Sequence, residues 1–490
     1  MLIGREARRQ LPREARLQLA FLAQQAFQPA IAARLLHRVV RPKDLRASPA
    51  TDEEKAEYAR ALVSLGALRE AVGIFSGLKA RRLPRVYSGL AFAYFRQWEW
   101  EKAIPVIQES LAHPDLSSTE KLLAREGLGI AMLHGLGDFD GATGILEGVL
   151  RETGPSRFRK LHWQALHILA QAHFLQGNWP RAIEYVDRME ALYPGGEDEV
   201  SGLVARKWRS LVQLHRDPAP AAALRRLRRI RTRFLGIGNY EQVRSCDYYE
   251  AVARQSEPLL LRLYFGSPYP GLRRKLLRAF CRDEGSIPEA HELSVGEKGS
   301  GPRISLRVLN GENSLGGARL RPGKLPQRLL RALTTDLYQP PNSILLHQDC
   351  YPGENFHPTA SPLRIAQGLK RLRQWLDEGG IPLVIRERAG LYTLKSDADL
   401  RLLIERTIDT GSSVGGPMSS RIQDSMDRLR KAYPGAAFRA SDVQALFQVS
   451  RASAVALLVG LMRSGFVNRS GASSSTKYRL TVAGEGAAVP

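Results

Sequence analysis

Four side chains in one short stretch have the chemistry to meet a base edge or a phosphate. Arg364, Gln367, Lys370 and Arg371 all fall within LRIAQGLKRLRQWL, residues 363–376. Arginine donates to the O6 and N7 edge of guanine, and glutamine pairs twice with adenine, in a major groove. Ile365, Leu369, Leu372 and Leu376 recur at spacings of 4, 3 and 4, the inward stripe of a helix. That stripe leaves Arg364, Gln367, Gly368, Lys370 and Arg371 on or beside the opposite face. A glycine at 368 would allow a backbone to approach closely, and Arg373 reads as a phosphate contact or a solvated flank.

The elements that must position these groups are legible around them. Pro362 in the first turn marks the helix start. After the helix, PLVI (382–385) and GLYTL (390–394) alternate around Arg386, Glu387, Arg388 and Gly390, which predicts a β-hairpin with a basic tip. Before it, ISLRVL (304–309) predicts a strand that turns at Asn310–Gly311, with a further short strand around Ala318–Leu320. LPQRLLRALTTDLY predicts a helix with Leu325, Leu329, Leu330 and Leu333 inward, and a short helix follows in ILLHQDC. Helices followed by a hairpin make a winged helix, which puts one helix, here the long one before the hairpin, into the major groove.

RLRQWL followed by GLYTL resembles the signature of response-regulator effector domains of the OmpR class, over roughly residues 303–396. The resemblance implies that Arg364, Gln367, Gly368 and Arg371 face bases, that Lys370 and Arg373 face phosphates, and that Arg388 lies in the wing. Two features depart from the family: the preceding residues do not read as a receiver domain, and Trp375 implies a different contact beneath the helix.

Residues 420–480 repeat the theme. FRASDVQALFQVSRASAVALLVGLMRSGFVNRSGASSSTKYRL predicts a cap at Ser441–Asp442, a short helix, a turn at Val449–Ser450 and a longer helix with Leu457, Leu458 and Leu461 inward. Gly465 ends that helix, a strand starts at Phe466–Val467, RSGASSST makes the tip and KYRL returns. This resembles the small winged helix-turn-helix domains of bacterial regulators. The resemblance puts Arg451 and Ser453 in the base-facing first turn, with Arg469, Lys477 and Arg479 bordering the wing. VALLVGL is apolar for a groove face, which leaves dimerisation or docking as the alternative use of this module.

Upstream, Gly66 with Ala71, Gly137 with Ala142, and Gly177 with Ala182 each place a glycine five residues before an alanine, and Trp98 takes the glycine position before Ala103. The alanines recur every 32 to 40 residues. A helical-hairpin repeat of about 34 residues with insertions has this period. With Leu90, Ala91 and Tyr94 before Ala103, and Leu169, Ala170 and His173 before Ala182, the stretch resembles tetratricopeptide repeats. That resemblance implies a solenoid that binds a protein or peptide.

Composition frames these readings. The 490 residues carry a net charge of +23, which points to a polyanionic partner. The densest excess is in residues 224–282, with 14 Lys and Arg against 4 Asp and Glu. There LRRLRRIRTRF and GLRRKLLRAFCR predict amphipathic helices, whose arginines either are solvated or flank a phosphate backbone. Cys246, Cys281 and Cys350 are isolated, so neither a disulfide framework nor a zinc knuckle is indicated. The scattered histidines, His162, His167 and His173 among them, are read as packed or solvent-facing. No phosphate-binding glycine loop, zincin motif or nucleophile elbow occurs. No enzyme, cofactor or metal is expected, and no apolar run approaches a membrane span.

The expected organisation is mainly α: an N-terminal helical segment (1–54), a repeat domain with basic C-terminal helices (55–282), a linker (283–302), a first winged helix (303–408), a linker (409–419) and a second winged helix (420–490). The expected protein is a cytoplasmic, nucleoid-associated bacterial regulator that binds double-stranded DNA, holds a protein or peptide partner on its repeats, and forms a homodimer if the second winged helix docks. The competing expectation is a repeat scaffold whose winged helices bind protein.

Overall fold

Among the described residues, seven helix-to-helix turns share one construction. Phe27, Gly66, Trp98, Gly137, Gly177, Gly238 and Gln255 all have positive φ. In each case the next helix begins two residues later. The residue five positions on (Ala32, Ala71, Ala103, Ala142, Ala182, Val243 or Leu260) is buried. A left-handed residue ends a helix by turning the chain back on itself, so a fixed two-residue step delivers the next helix in a constant register. Asp138, Asn178 and Asn239, each directly after its glycine, cap the following helix by accepting from the backbone N–H three residues on.

The computed structural model describes residues 11–42, 48–78, 84–155, 158–193, 198–216, 220–295, 303–317, 319–321, 323–352, 354–406, 426, 428–447, 451–463, 467–470 and 476–480. The described chain is mainly helical and divides into two compact units. The predicted linker at 409–419, Ala318, the turn at Val449–Ser450, Gly465–Phe466 and most of the second wing tip lie outside the described residues.

The first unit comprises residues 1–287 with 335–345 and 355–363. Its helices are α1 (Arg13–Gln25), α2 (Pro29–Val40), α3 (Asp52–Leu65), α4 (Leu68–Ser76), α5 (Pro84–Arg96), α6 (Trp100–Leu111), α7 (Ser118–Ala131), α8 (Phe139–Glu152), α9 (Arg159–Leu175), α10 (Trp179–Leu192), α11 (Glu199–Arg216), α12 (Ala221–Gly236), α13 (Tyr240–Arg254), α14 (Glu257–Phe265) and α15 (Pro270–Ala279). Met132–Leu136 widens into a π-turn after α7. Consecutive helices pack on one another, and α3 meets α5, α9 meets α11 and α11 meets α13, the neighbour-only packing of a helical repeat. Thr51 with Glu54 and Ser117 with Glu120 form reciprocal capping boxes at α3 and α7. Ile344 and Phe356, from the two later segments, join the core built by α1 to α5.

Three of the seven turns lack glycine, so an L side chain carries the left-handed strain. Gln255, exposed with φ of 47°, is the simplest to relieve. Gln255→Gly is expected to raise stability by about 0.5–1 kcal/mol, read as a higher urea midpoint at unchanged m. A midpoint that stays or falls would refute the strain.

Glu126 on α7 is 6% exposed, and its Oε1 has no partner. Burial pushes its carboxyl up to about 8, only partly opposed by Lys160. With the folded value above the unfolded one, the group's stabilising contribution is complete below the unfolded value and is lost as pH rises through about 8. Glu126→Gln is therefore expected to match the parent near pH 5 and to exceed it by roughly 1–3 kcal/mol near pH 9, measured by urea unfolding at both values. Equal stabilities at pH 9 would contradict it.

The second unit comprises residues 288–334, 346–354 and 364–490. Strands β1 (Ala290–Ser294), β2 (Ile304–Arg307) and β5 (Leu400–Glu405) form a sheet with β5 in the middle, antiparallel to β1 and parallel to β2. Helices α16 (Leu325–Thr334), α17 (Ser343–Cys350) and α18 (Ala360–Glu378) precede a hairpin of β3 (Val384–Arg388) and β4 (Leu391–Lys395). Leu306, Leu329, Leu330, Leu346, Ile365, Leu369, Leu372, Leu376, Leu400 and Leu402 share its core. A second, separate core joins Met426, Leu429, Phe438, Val443, Ala454, Leu458, Leu461, Val467 and Tyr478. It unites α19 (Ala440–Phe447), α20 (Arg451–Arg463) and the β6 (Val467–Ser470) and β7 (Lys477–Leu480) hairpin, with Phe438 bridged to Tyr478.

Two expectations about these segments change. The stretch 283–302 is not simply a linker, because AHELS within it pairs with β5 along its full length. Its alternation is too short and too polar to read as a strand alone, and the partner supplies the order. Likewise, the predicted strand around Ala318–Leu320 is not formed at Leu320, whose N–H instead donates to the Asn310 carbonyl.

Candidate nucleic-acid interface

Helix α18 presents the face that its spacing implies. Ile365, Leu369, Leu372 and Leu376 are at most 1% exposed, while Arg364, Gln367, Lys370 and Arg371 are all exposed. Arg364, Gln367 and Arg371 stand at i, i+3 and i+7, on one side of the helix. Leu363, 67% exposed, lies beside them.

Arg364 is not idle in this face. Its guanidinium lies 3.8 Å from the Tyr351 ring centroid and pairs with Glu354 at 2.5 Å. That hydrogen bond holds the Glu354 carboxyl below its ordinary range. Both partners are well exposed, so the pair contributes little stability and can be exchanged for a phosphate. Tyr351 and Glu354 lie 13 and 10 residues before the arginine, in a loop, where helical periodicity gives no signal.

Two predicted contacts are corrected. Gly368 does not face outward: a Cβ there would come within 2.6 Å of Leu329 Cδ1 and 2.7 Å of Leu325 Cδ2. The glycine lets α16 and α18 approach each other, which is a packing role. Arg373 is half-buried and donates from Nη2 to the Ile385 carbonyl at 3.0 Å, tying helix to hairpin. Trp375 packs at the edge of the core. Its ring would lie 2.9 Å from a Cβ at Gly311, so it covers the Asn310–Gly311 turn.

The β3–β4 hairpin turns on Ala389 and Gly390, both with positive φ, the two-residue geometry that matches strand twist. Ile385 and Tyr392 are buried, whereas Val384, Arg386 and Arg388 alternate onto the exposed face. Arg388 stands beside the tip, and Arg386 two residues behind it extends the basic strip.

In the second core, Arg451 opens α20 and is exposed. Ser453 lies in the same first turn, with its side chain outside the described ones. Arg469, Lys477 and Arg479 are exposed on β6 and β7. The register pairs Arg469 with Tyr478, while Lys477 and Arg479 alternate onto the other face. The hairpin therefore divides these three cations between its two sides.

The arginine-rich segment of the first unit is partly ion-paired. Arg228 and Arg254 meet Glu250, Arg231 meets Asp247 at 2.5 Å, Arg233 meets Glu199, and Arg282 meets Glu257. Arg244, fully buried, is held by Asp336 and Glu241. These six of the thirteen arginines in 224–282 are held by carboxylates, four of which belong to the segment itself, so the reading of it as a phosphate-binding flank loses part of its free charge. Cys246 and Cys350 are buried free thiols and Cys281 is an exposed one. Among the described residues no group of three metal-ligating side chains is assembled, and no helix is long and apolar enough to cross a membrane.

No protein-family model and no curated relative matches the chain. Among solved structures, the chain is similar to a thermophilic TPR protein of Thermus thermophilus, at 17% identity over 40% of this chain and 99% of that one, with a TM-score of 0.32. It is similar to the TPR-like repeats of a Podosopora anserina putative kinesin light chain, at 23% identity over 37% and 93%, with a TM-score of 0.31. A third similarity is to the C-terminal part of a TPR repeat-containing protein of Cytophaga hutchinsonii, at 12% identity over 55% and 97%, with a TM-score of 0.31. The helical-repeat description rests on the turns and packing given above.

Proposed function

We propose that this chain is a helical-repeat protein whose first unit holds a partner or effector and whose second unit binds duplex DNA through α18 and the β3–β4 hairpin, used as a winged helix. The observation that carries the reading is the exposed set Gln367, Lys370 and Arg371 on α18, opposite a fully packed leucine stripe. Arg386 and Arg388 on the following hairpin add cations where a wing would meet the backbone. The α19–α20 and β6–β7 module has the same order of parts and would add a second DNA or dimer contact.

A second reading has its own support. Leu363, 67% exposed within the basic face, and the Glu354 carboxylate on Arg364 suit a protein partner better than a phosphate. On that reading the repeats and both hairpin modules form an assembly scaffold. Binding of the full chain to a random duplex pool, followed across a salt titration, separates the two. DNA binding through phosphates gives affinity that falls steeply and linearly in logarithmic salt. Absence of saturable duplex binding at low salt would leave the scaffold reading.

A further inference from the structure

Arg364 is not a free cation: α17, the loop after it and the start of α18 hold it in a layered stack. His347 on α17 is 1% exposed, and its ring lies 5.1 Å from that of Tyr351. Tyr351, the residue after α17, donates its N–H to the His347 carbonyl at 2.9 Å, which continues the last helical turn. The Arg364 guanidinium lies over the Tyr351 ring, 3.8 Å from its centroid. A cation at that distance is held by the electron-rich face of the ring.

Glu354 adds the counter-charge. Its N–H donates to the Tyr351 carbonyl at 3.2 Å, a turn that brings ring and carboxylate to the same guanidinium. Arg364 Nη1 donates to Glu354 Oε2 at 2.5 Å, and Nη2 donates to Oε1 at 3.3 Å. Those two nitrogens are the edge with which an arginine takes guanine O6 and N7, or two phosphate oxygens. In Arg364 both are spent on one carboxylate. Lys370 and Arg371, exposed on the same helix, enter no ion pair among the described residues.

The pair is able to open. The Arg364 side chain is 43% and the Glu354 side chain 50% exposed, and an exposed ion pair contributes little stability. It is also present throughout the neutral range, because the hydrogen bond from Arg364 holds the Glu354 carboxyl below its usual value. A carboxylate on a basic face therefore competes with any polyanion for one arginine. Such a competitor lowers affinity until a better acceptor displaces it.

We propose that Glu354 is an internal competitor for duplex DNA: it occupies the donor edge of Arg364 and must be displaced before that arginine can take a pair of acceptor atoms on the duplex. The inference rests on the reading of α18 as a DNA-binding helix and adds a control to it. Lys370 and Arg371 are available to DNA at once, whereas Arg364 is withheld, and Tyr351 keeps its guanidinium in place for the exchange.

Anisotropy titrations of the full chain test it, with a short duplex of alternating G·C pairs and one of alternating A·T pairs, each across a salt series. Glu354→Gln should bind at least about threefold more tightly than the parent, and adding Arg364→Ala should abolish that gain. Asp377→Asn, which removes an exposed carboxylate at the far end of α18, gives the effect of net charge alone and should bring a smaller gain. A gain on both duplexes, with a salt slope steeper by about 1, assigns phosphate oxygens as the acceptors. A gain confined to the G·C duplex, at unchanged slope, assigns the guanine edge. Duplex binding that Glu354→Gln leaves unchanged, a gain that survives the addition of Arg364→Ala, or a gain matched by Asp377→Asn would overturn this inference and leave the α18 reading standing. Absence of saturable duplex binding by both the parent and Glu354→Gln would remove both.

Discussion

Asp336→Ala is expected to destabilise the protein by about 3–5 kcal/mol, the loss that follows when a buried charge is left without its partner. Arg244 on α13 is 0% exposed, and its Nη2 donates to both Asp336 oxygens at 2.7 and 2.6 Å. Its Nη1 donates to Glu241 at 2.5 Å, and the guanidinium lies between the Tyr269 and Tyr338 rings at 4.9 and 5.2 Å. Asp336 Oδ1 also accepts from the backbone of Tyr338 and Gln339, so the carboxylate shapes segment 335–345 as well. Alanine would leave a buried guanidinium with only the half-exposed Glu241 for charge. The double variant Arg244→Met with Asp336→Leu should recover much of the loss, since replacing both members of a buried pair removes the uncompensated charge. Urea unfolding of the single and double variants measures this. A single-variant cost below about 1 kcal/mol, the level of an exposed pair, would show that the pair is not buried in solution.

Gln367→Ala, Lys370→Ala and Arg371→Ala together are expected to weaken duplex binding by roughly 10²–10³-fold, at about 1–3 kcal/mol for each base-directed side chain removed. The slope of log affinity against log salt should shrink by about 1, for the one removed cation, Lys370, that is read as meeting a phosphate. The fold should survive, because all three side chains are exposed and the inward face of α18 is untouched. Arg373→Ala makes the contrast: its guanidinium holds the Ile385 carbonyl, so stability should fall more than DNA affinity. Gel-shift or anisotropy titrations at three salt concentrations give both the affinity and the slope. A triple variant with the parent's affinity and slope would remove α18 from any DNA interface.

The order of elements was legible where local signals are strong. The leucine spacing in 365–376 and the alternation in 382–394 gave α18 and the hairpin within a residue or two. The glycine-to-alanine spacing gave four of the repeat turns. It missed those at Phe27, Gly238 and Gln255 because Phe and Gln carry the left-handed angle without announcing it, and because Val243 replaces the alanine. The Gly238–Asn239 dipeptide, matching Gly137–Asp138 and Gly177–Asn178, was the available signal for one of them. β1 and β5 were not legible, since short strands owe their order to a partner more than a hundred residues away.

The amino-acid sequence alone determined the helical periods, the left-handed turns that allow glycine, and which face of α18 stays wet, because each depends on neighbours within about one helical turn. Tertiary structure alone decided which charges are spent and which remain. Arg228, Arg231 and Arg233 meet acids on adjacent helices, and Gly368 turns inward to admit Leu325 and Leu329. Lys207, unremarkable in the sequence, is buried on neutral partners, Gln242 and Ser245. The physical reason is that a side chain's charge is local information, whereas its compensation depends on residues that only packing brings within a few ångströms.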